Sequence, residues 1–137
     1  MNWRLTFESR LDSWNQLRNQ VKDLPIELAL EIINSWWFRA PWCGYHLHWD
    51  DRLDWPDPWQ LLSDNLYCEV ARGLGIFYTL KLLGRDSLSS SRMVLDNNNN
   101  TIILIDDYIL NWESDSIKKT QDIIVKEQIF LNNLALS

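Results

Sequence analysis

The chain has little cysteine, little histidine and no long apolar run. Its two cysteines, Cys43 and Cys68, are too few for a disulfide framework, so reduced thiols are expected. The two histidines, His46 and His48, leave few candidates for a general base or an imidazole ligand. No stretch approaches the ~18 consecutive apolar residues that cross a bilayer. Arg4 and Glu8 stand where a secretory leader would be apolar, so export is not expected. Basic residues are also short: 13 Lys and Arg against 19 Asp and Glu, for a net charge of −6. That balance argues against a nucleic-acid partner held through its phosphates and against an anionic membrane surface.

What is present suits one globular domain over 1–137. Hydrophobic residues make up 46% and charged residues 23% of the sequence. A chain of this length buries enough surface to hold a core without staples. Nine residues are Trp, and six of them (Trp36, Trp37, Trp42, Trp49, Trp55, Trp59) fall in one short stretch. Trp removes much area from water at low entropic cost, so it serves cores and interface anchors alike.

Periodicity predicts an α+β fold, with N-terminal helices and one long central helix packed on a small antiparallel sheet. Leu11, Trp14, Leu17 and Val21 recur at three and four within 8–22, a helical stripe. Residues 26–38 are apolar nearly all round, with Pro25 at the start, Asp23 as a cap and Pro41 as the stop. From 39 to 57 the chain is an irregular Trp-rich loop broken by Pro41, Gly44 and Pro56. The central helix, 58–84, starts on Asp57-Pro58-Trp59-Gln60, a capping box, allows a kink with a restart at Ser63 or Asp64, and ends at Gly84. Gly73 and Gly75 inside it each cost roughly 1 kcal/mol relative to Ala, which calls for the close approach of another backbone. The period then turns to two. Strands are expected at 92–96, 101–105 and 108–112, with turns at Asn97–Asn100 and Asp106-Asp107. Because 102–105 is apolar on both faces, both should be covered. A further β-like run at 122–125 precedes a tail, 126–137, with a weak helix.

Three constellations carry possible chemistry. Cys68, ahead of antiparallel strands, has the element order of transglutaminase-like and papain-like cysteine enzymes. The resemblance implies a His near Asn100 or Thr101 and an Asp near Asn111, and neither residue type is there. The plainer reading makes Cys68 a small buried hydrophobe. Cys43, His46, His48 and Asp50 are ligand types, but no second pair completes a zinc set, and neither a metal nor any other cofactor is expected. Asp50, Asp51, Asp54 and Asp57 match no calcium loop and read as caps and solvated acids. The Trp-rich segment reads as core, as a protein interface or as a sugar platform. Because Trp36 and Trp37 point about 100° apart on a helix, one narrow core face does not hold both.

The runs Ser35-Trp-Trp-Phe-Arg-Ala-Pro-Trp42, His48-Trp-Asp-Asp51, Trp55-Pro-Asp-Pro-Trp-Gln60, 64–75 and Ile105-Asp-Asp-Tyr-Ile-Leu-Asn-Trp112 resemble a group of small uncharacterised proteins of contractile-tailed cyanobacterial phages. The likeness covers roughly residues 14–112. It brings no assigned activity and no functional residues. It implies a virion or host-cytoplasm location and a structural or assembly role in the tail, baseplate or neck, with other phage structural proteins as partners. On this reading the six Trp at 36, 37, 42, 49, 55 and 59 are interface candidates. A degenerate transglutaminase-like enzyme and a sugar- or metal-binding module are the competing expectations.

Overall fold

The computed structural model describes residues 2–112, 116–119 and 123–134. Helix α1 (Phe7–Val21) opens on Thr6, whose hydroxyl accepts from Ser9 N at 3.2 Å, and buries Trp14, Leu17 and Val21. Helix α2 (Ile26–Phe38) follows Pro25 without a side-chain cap, so the expected Asp23 cap is not formed. It buries Ala29, Leu30, Ile33 and Trp37.

The single helix expected over 58–84 is two helices, α3 (Pro58–Asp64) and α4 (Glu69–Leu83). Asp57 caps α3 as expected, accepting from Gln60 N at 2.8 Å. Asn65 then takes the left-handed conformation (φ 53°) and ends the helix. Tyr67 leaves the helical path, pairs with Trp42 as an isolated bridge, and accepts from Cys43 N at 2.9 Å. Its ring is fully buried, 5.4 Å from that of Trp3 and 5.7 Å from that of Trp37. Burial of one tyrosine in an aromatic cluster thus overrides the helical propensity of the segment.

Helix α4 is the centre of the molecule, with α2 on one side and the sheet on another. Its two interior glycines serve different neighbours. A Cβ at Gly73 would meet Asn111 Nδ2 at 3.0 Å and Thr101 Cγ2 at 3.3 Å, so the sheet side approaches here through side chains and not through the expected backbone. A Cβ at Gly75 would lie 2.5 Å from the ring of Trp37, so this glycine makes room for an indole of α2 and not for a strand. One turn on, the buried Thr79 hydroxyl accepts from Trp14 Nε1 at 2.9 Å and Trp37 Nε1 at 3.0 Å, and donates to Gly75 O at 2.8 Å. One hydroxyl therefore satisfies the polar ends of Trp14 and Trp37, the two largest fully buried side chains. Trp36 does reach the same cluster as Trp37, its neighbour, with ring centroids 4.9 Å apart, because Trp3 covers it at 4.5 Å.

The sheet comprises β1 (Arg92–Asp96), β2 (Thr101–Ile105), β3 (Tyr108–Leu110), β4 (Lys118–Lys119) and β5 (Val125–Phe130). Its order is β4-β3-β2-β1-β5, and every pairing is antiparallel. Both turns fall where expected, with Asn99 (φ 63°) and Asp106 (φ 47°) left-handed. The first is tied by Asp96, whose Oδ1 accepts from Asn98 N and Asn100 N, both at 2.9 Å. Met93, Ile103, Ile105 and Leu110 join the helical core, while Val94, Ile102, Leu104 and Ile109 form a second cluster with Trp112, Ile123 and Val125 against it. Both faces of β2 are thus covered. The β-like run expected at 122–125 starts at Asp122, outside the described residues; the strand lies at Val125–Phe130, where a weak helix was expected. It pairs with β1 from Arg92↔Phe130 to Asp96↔Val125, and this pairing decides its form.

Candidate functional site

The break between α3 and α4 places Cys68 at the N-cap of α4 and not within a helix. The chain from Pro41 to Leu47 folds back over it. Leu47 N donates to the Cys68 sulfur at 3.2 Å, and the thiol lies 3.7 Å from Leu47 O. Cys68 is buried, with 3% of its surface exposed. A cavity of about 550 Å³ opens beside it, lined among others by Tyr45, His48, Glu69, Thr101 and Lys126.

The two strand positions singled out by element order do converge on this helix end. Thr101, at the start of β2, donates its N–H to Glu69 Oε1 at 2.8 Å. Asn111, just past β3 and left-handed (φ 59°), donates through Nδ2 to Glu69 O at 3.0 Å and to Thr101 O at 2.8 Å. Its N–H donates to Asn34 Oδ1 at 2.9 Å, and its Oδ1 accepts from Arg72 Nε at 2.6 Å. Where a cysteine enzyme of this order would align a base, the chain has an amide that ties β2, β3, α2 and α4 together. Thr101 takes no proton from a thiol, and the hydrogen bonds of the Cys68 sulfur go to Leu47 alone among the described residues. His48 Nδ1 is engaged locally, accepting from Asp50 N at 3.1 Å. The acid nearest the thiol in sequence, Glu69, is pushed above its ordinary pKa by burial, which the Thr101 N–H and Arg72 partly offset.

Of the ligand-type residues, His48 and Asp50 come together, with Nδ1 3.7 Å from Oδ2. Cys43 is exposed with its sulfur 3.7 Å from Tyr45 O, and His48 faces solvent beside Asp50. Among the described residues no three His, Cys, Asp or Glu side chains gather to hold a metal ion.

The six Trp of the interface expectation divide. Trp37 and Trp49 are buried, so these two are withdrawn from any surface; each sits under its neighbours as an anchor. Trp49 meets Trp55 edge-on at 5.7 Å, and Trp55 Nε1 donates to His48 O at 2.9 Å, which fixes the loop from within. Trp36 and Trp55 are half-buried. Trp42 and Trp59 are exposed, at 55% and 45%. Tyr45, Leu53 and Leu66 in the same stretch are exposed as well. Sequence reasoning missed Arg72 and Glu69, because a charged residue on a helix that is apolar on most sides reads as its solvent face. No family model matches the chain, and no curated protein matches it.

Proposed function

We propose that the protein is a subunit or assembly factor of a phage particle, in the tail, baseplate or neck, that works by binding another protein through the surface of segment 42–66. The observation that carries the reading is the split within this segment. Trp49, Trp55 and Tyr67 hold it rigidly, while Trp42, Tyr45, Leu53, Trp59 and Leu66 present apolar surface to solvent. A rigid segment that exposes several large apolar groups binds with little ordering cost, and aromatic anchors of this kind dominate interface energetics. Asp50, Asp51 and Asp54 are exposed around them and supply a polar rim. The burial of the Cys68 thiol, which among the described residues hydrogen-bonds to Leu47 alone, supports binding over covalent chemistry.

The test is incorporation. Particles from cells expressing the Trp42→Ala/Trp59→Ala chain should lack it, while the free variant keeps the wild-type far-UV spectrum and melting temperature. Incorporation at the wild-type level would rule this surface out.

A second reading, a degenerate transglutaminase-like core, has one observation in its favour. Cys68 at a helix N-terminus, Thr101 and Asn111 come together in the spatial order such a core requires. The two readings are compatible, since a core that has lost its base is free to serve as a binding scaffold. Alkylation of Cys68 by iodoacetamide at neutral pH should be no faster than in the unfolded chain; fast labelling that His48→Ala abolishes would restore a catalytic role.

A further inference from the structure

A second cavity, of about 300 Å³, shares Glu69 with the one at Cys68 and is otherwise separate from it. Arg72 lines it, together with Phe38, Trp42, Asn111 and Trp112. The guanidinium of Arg72 stacks 3.7 Å from the ring centroid of Phe38 and 4.9 Å from that of Trp42. Its rotation is set by the 2.6 Å hydrogen bond from Nε to Asn111 Oδ1. Asn111 is itself held by two backbone carbonyls, those of Glu69 and Thr101. The plane and the direction of the guanidinium are therefore both fixed before any ligand arrives.

What remains open is its outer edge. Neither Nη nitrogen has a hydrogen-bond or ion-pair partner among the described residues. Glu69 shares the cavity wall but turns Oε1 to Thr101 N and makes no ion pair with Arg72. Burial lowers the Arg72 pKa, and the nearby charge of Glu69 partly offsets it. A fixed guanidinium with two free parallel N–H donors matches the two oxygens of a carboxylate. The aromatic walls suit an apolar group behind it.

We propose that this cavity binds a carboxylate, with its two oxygens on the Nη edge of Arg72 and the apolar group that carries it against Trp42 and Trp112. The carboxylate comes either from a free small organic acid or from the chain end of a polypeptide. The site stands whether or not the surface of segment 42–66 binds a protein.

Benzoate and benzamide are the probes, matched in shape and different in charge. Full-length protein labelled with ¹⁵N is titrated with each, and the Arg72 Nε–H and the Trp42 and Trp112 indole signals are followed. Benzoate should shift all three saturably and bind about tenfold or more tighter than benzamide. Arg72→Gln should remove the preference, and Arg72→Lys should keep a weakened one. Equal shifts from both probes, no saturable shift, or an unchanged benzoate response in Arg72→Gln would overturn the site. So would displacement of benzoate by inorganic phosphate at lower concentration, which would make it a phosphate site. The benzoate–benzamide comparison in the wild type needs no variant and stands if Arg72→Gln fails to fold. N-acetyl-Ala-Leu against its C-terminal amide separates the sources. Tighter binding of this acid than of benzoate assigns the polypeptide chain end, and weaker binding assigns a free small acid.

Discussion

Trp37 and Trp42 lie five residues apart and meet opposite fates. Trp37 sits on α2 with no exposed surface, its ring in the space left by Gly75 and its N–H on the Thr79 hydroxyl. Trp42 lies past the end of that helix, pairs through its backbone with Tyr67, and keeps over half of its side chain in solvent. Trp37 has a partner for its polar atom and room for its volume. The core supplies a hydroxyl that two indoles share and a glycine that gives one of them room. Segment 42–66 supplies neither for Trp42 or Trp59. One residue type thus has two fates, holding the fold at Trp37 and standing exposed to solvent at Trp42 and Trp59.

The sharpest way to break the core half of this comparison is Gly75→Leu. A side chain there would drive into the Trp37 ring, and the loss should be at or above about 3 kcal/mol, the upper end of overpacking costs, read by urea denaturation. A variant as stable as the parent would mean that α2 does not lie on Gly75. Thr79→Val should come next, at about 2–3 kcal/mol, because it strands two buried indole N–H groups while keeping the volume. Trp42→Ala and Trp59→Ala should each change stability by less than about 1 kcal/mol, since their side chains are largely solvated. A larger loss would place those rings in the core.

The smallest effect concerns Glu69. Burial holds its carboxyl above the ordinary value, so its contribution is favourable below its unfolded pKa and is lost as pH rises through the folded one. Glu69→Gln keeps an oxygen for Thr101 N and removes the charge. Its melting temperature should match the wild type in mild acid and equal or exceed it at neutral pH. A neutral-pH deficit that disappears in acid would show that the ionised carboxylate is stabilising where it lies.

The short-range features were legible in the sequence. The Asp57 cap, the stop at Gly84 and both Asn and Asp turns follow from local backbone chemistry, and strands 92–96 and 101–105 follow from a period of two. The long-range ones were not. Asn65 is a helix breaker only weakly, and what makes it end α3 is the burial of Tyr67 against Trp3 and Trp37, more than 25 residues away in the chain. Strand β5 is only partly buried and owes its form to pairing with β1, which no local pattern announces. At the candidate site, element order brought Cys68, Thr101 and Asn111 to one place on paper as in the fold. It gave no sign that Leu47 would seal the thiol or that Asn111 would orient Arg72, because both depend on where a loop folds back.

The central claim, that the indoles divide between core and solvent-exposed positions, is tested most directly by ¹⁹F NMR of the 5-fluorotryptophan-labelled chain in H₂O and in D₂O. Nine resonances are expected, one for each Trp. Those of Trp42 and Trp59 should show a solvent isotope shift, and those of Trp14 and Trp37 should show none. A solvent shift at Trp37, or its absence at both Trp42 and Trp59, would contradict the account.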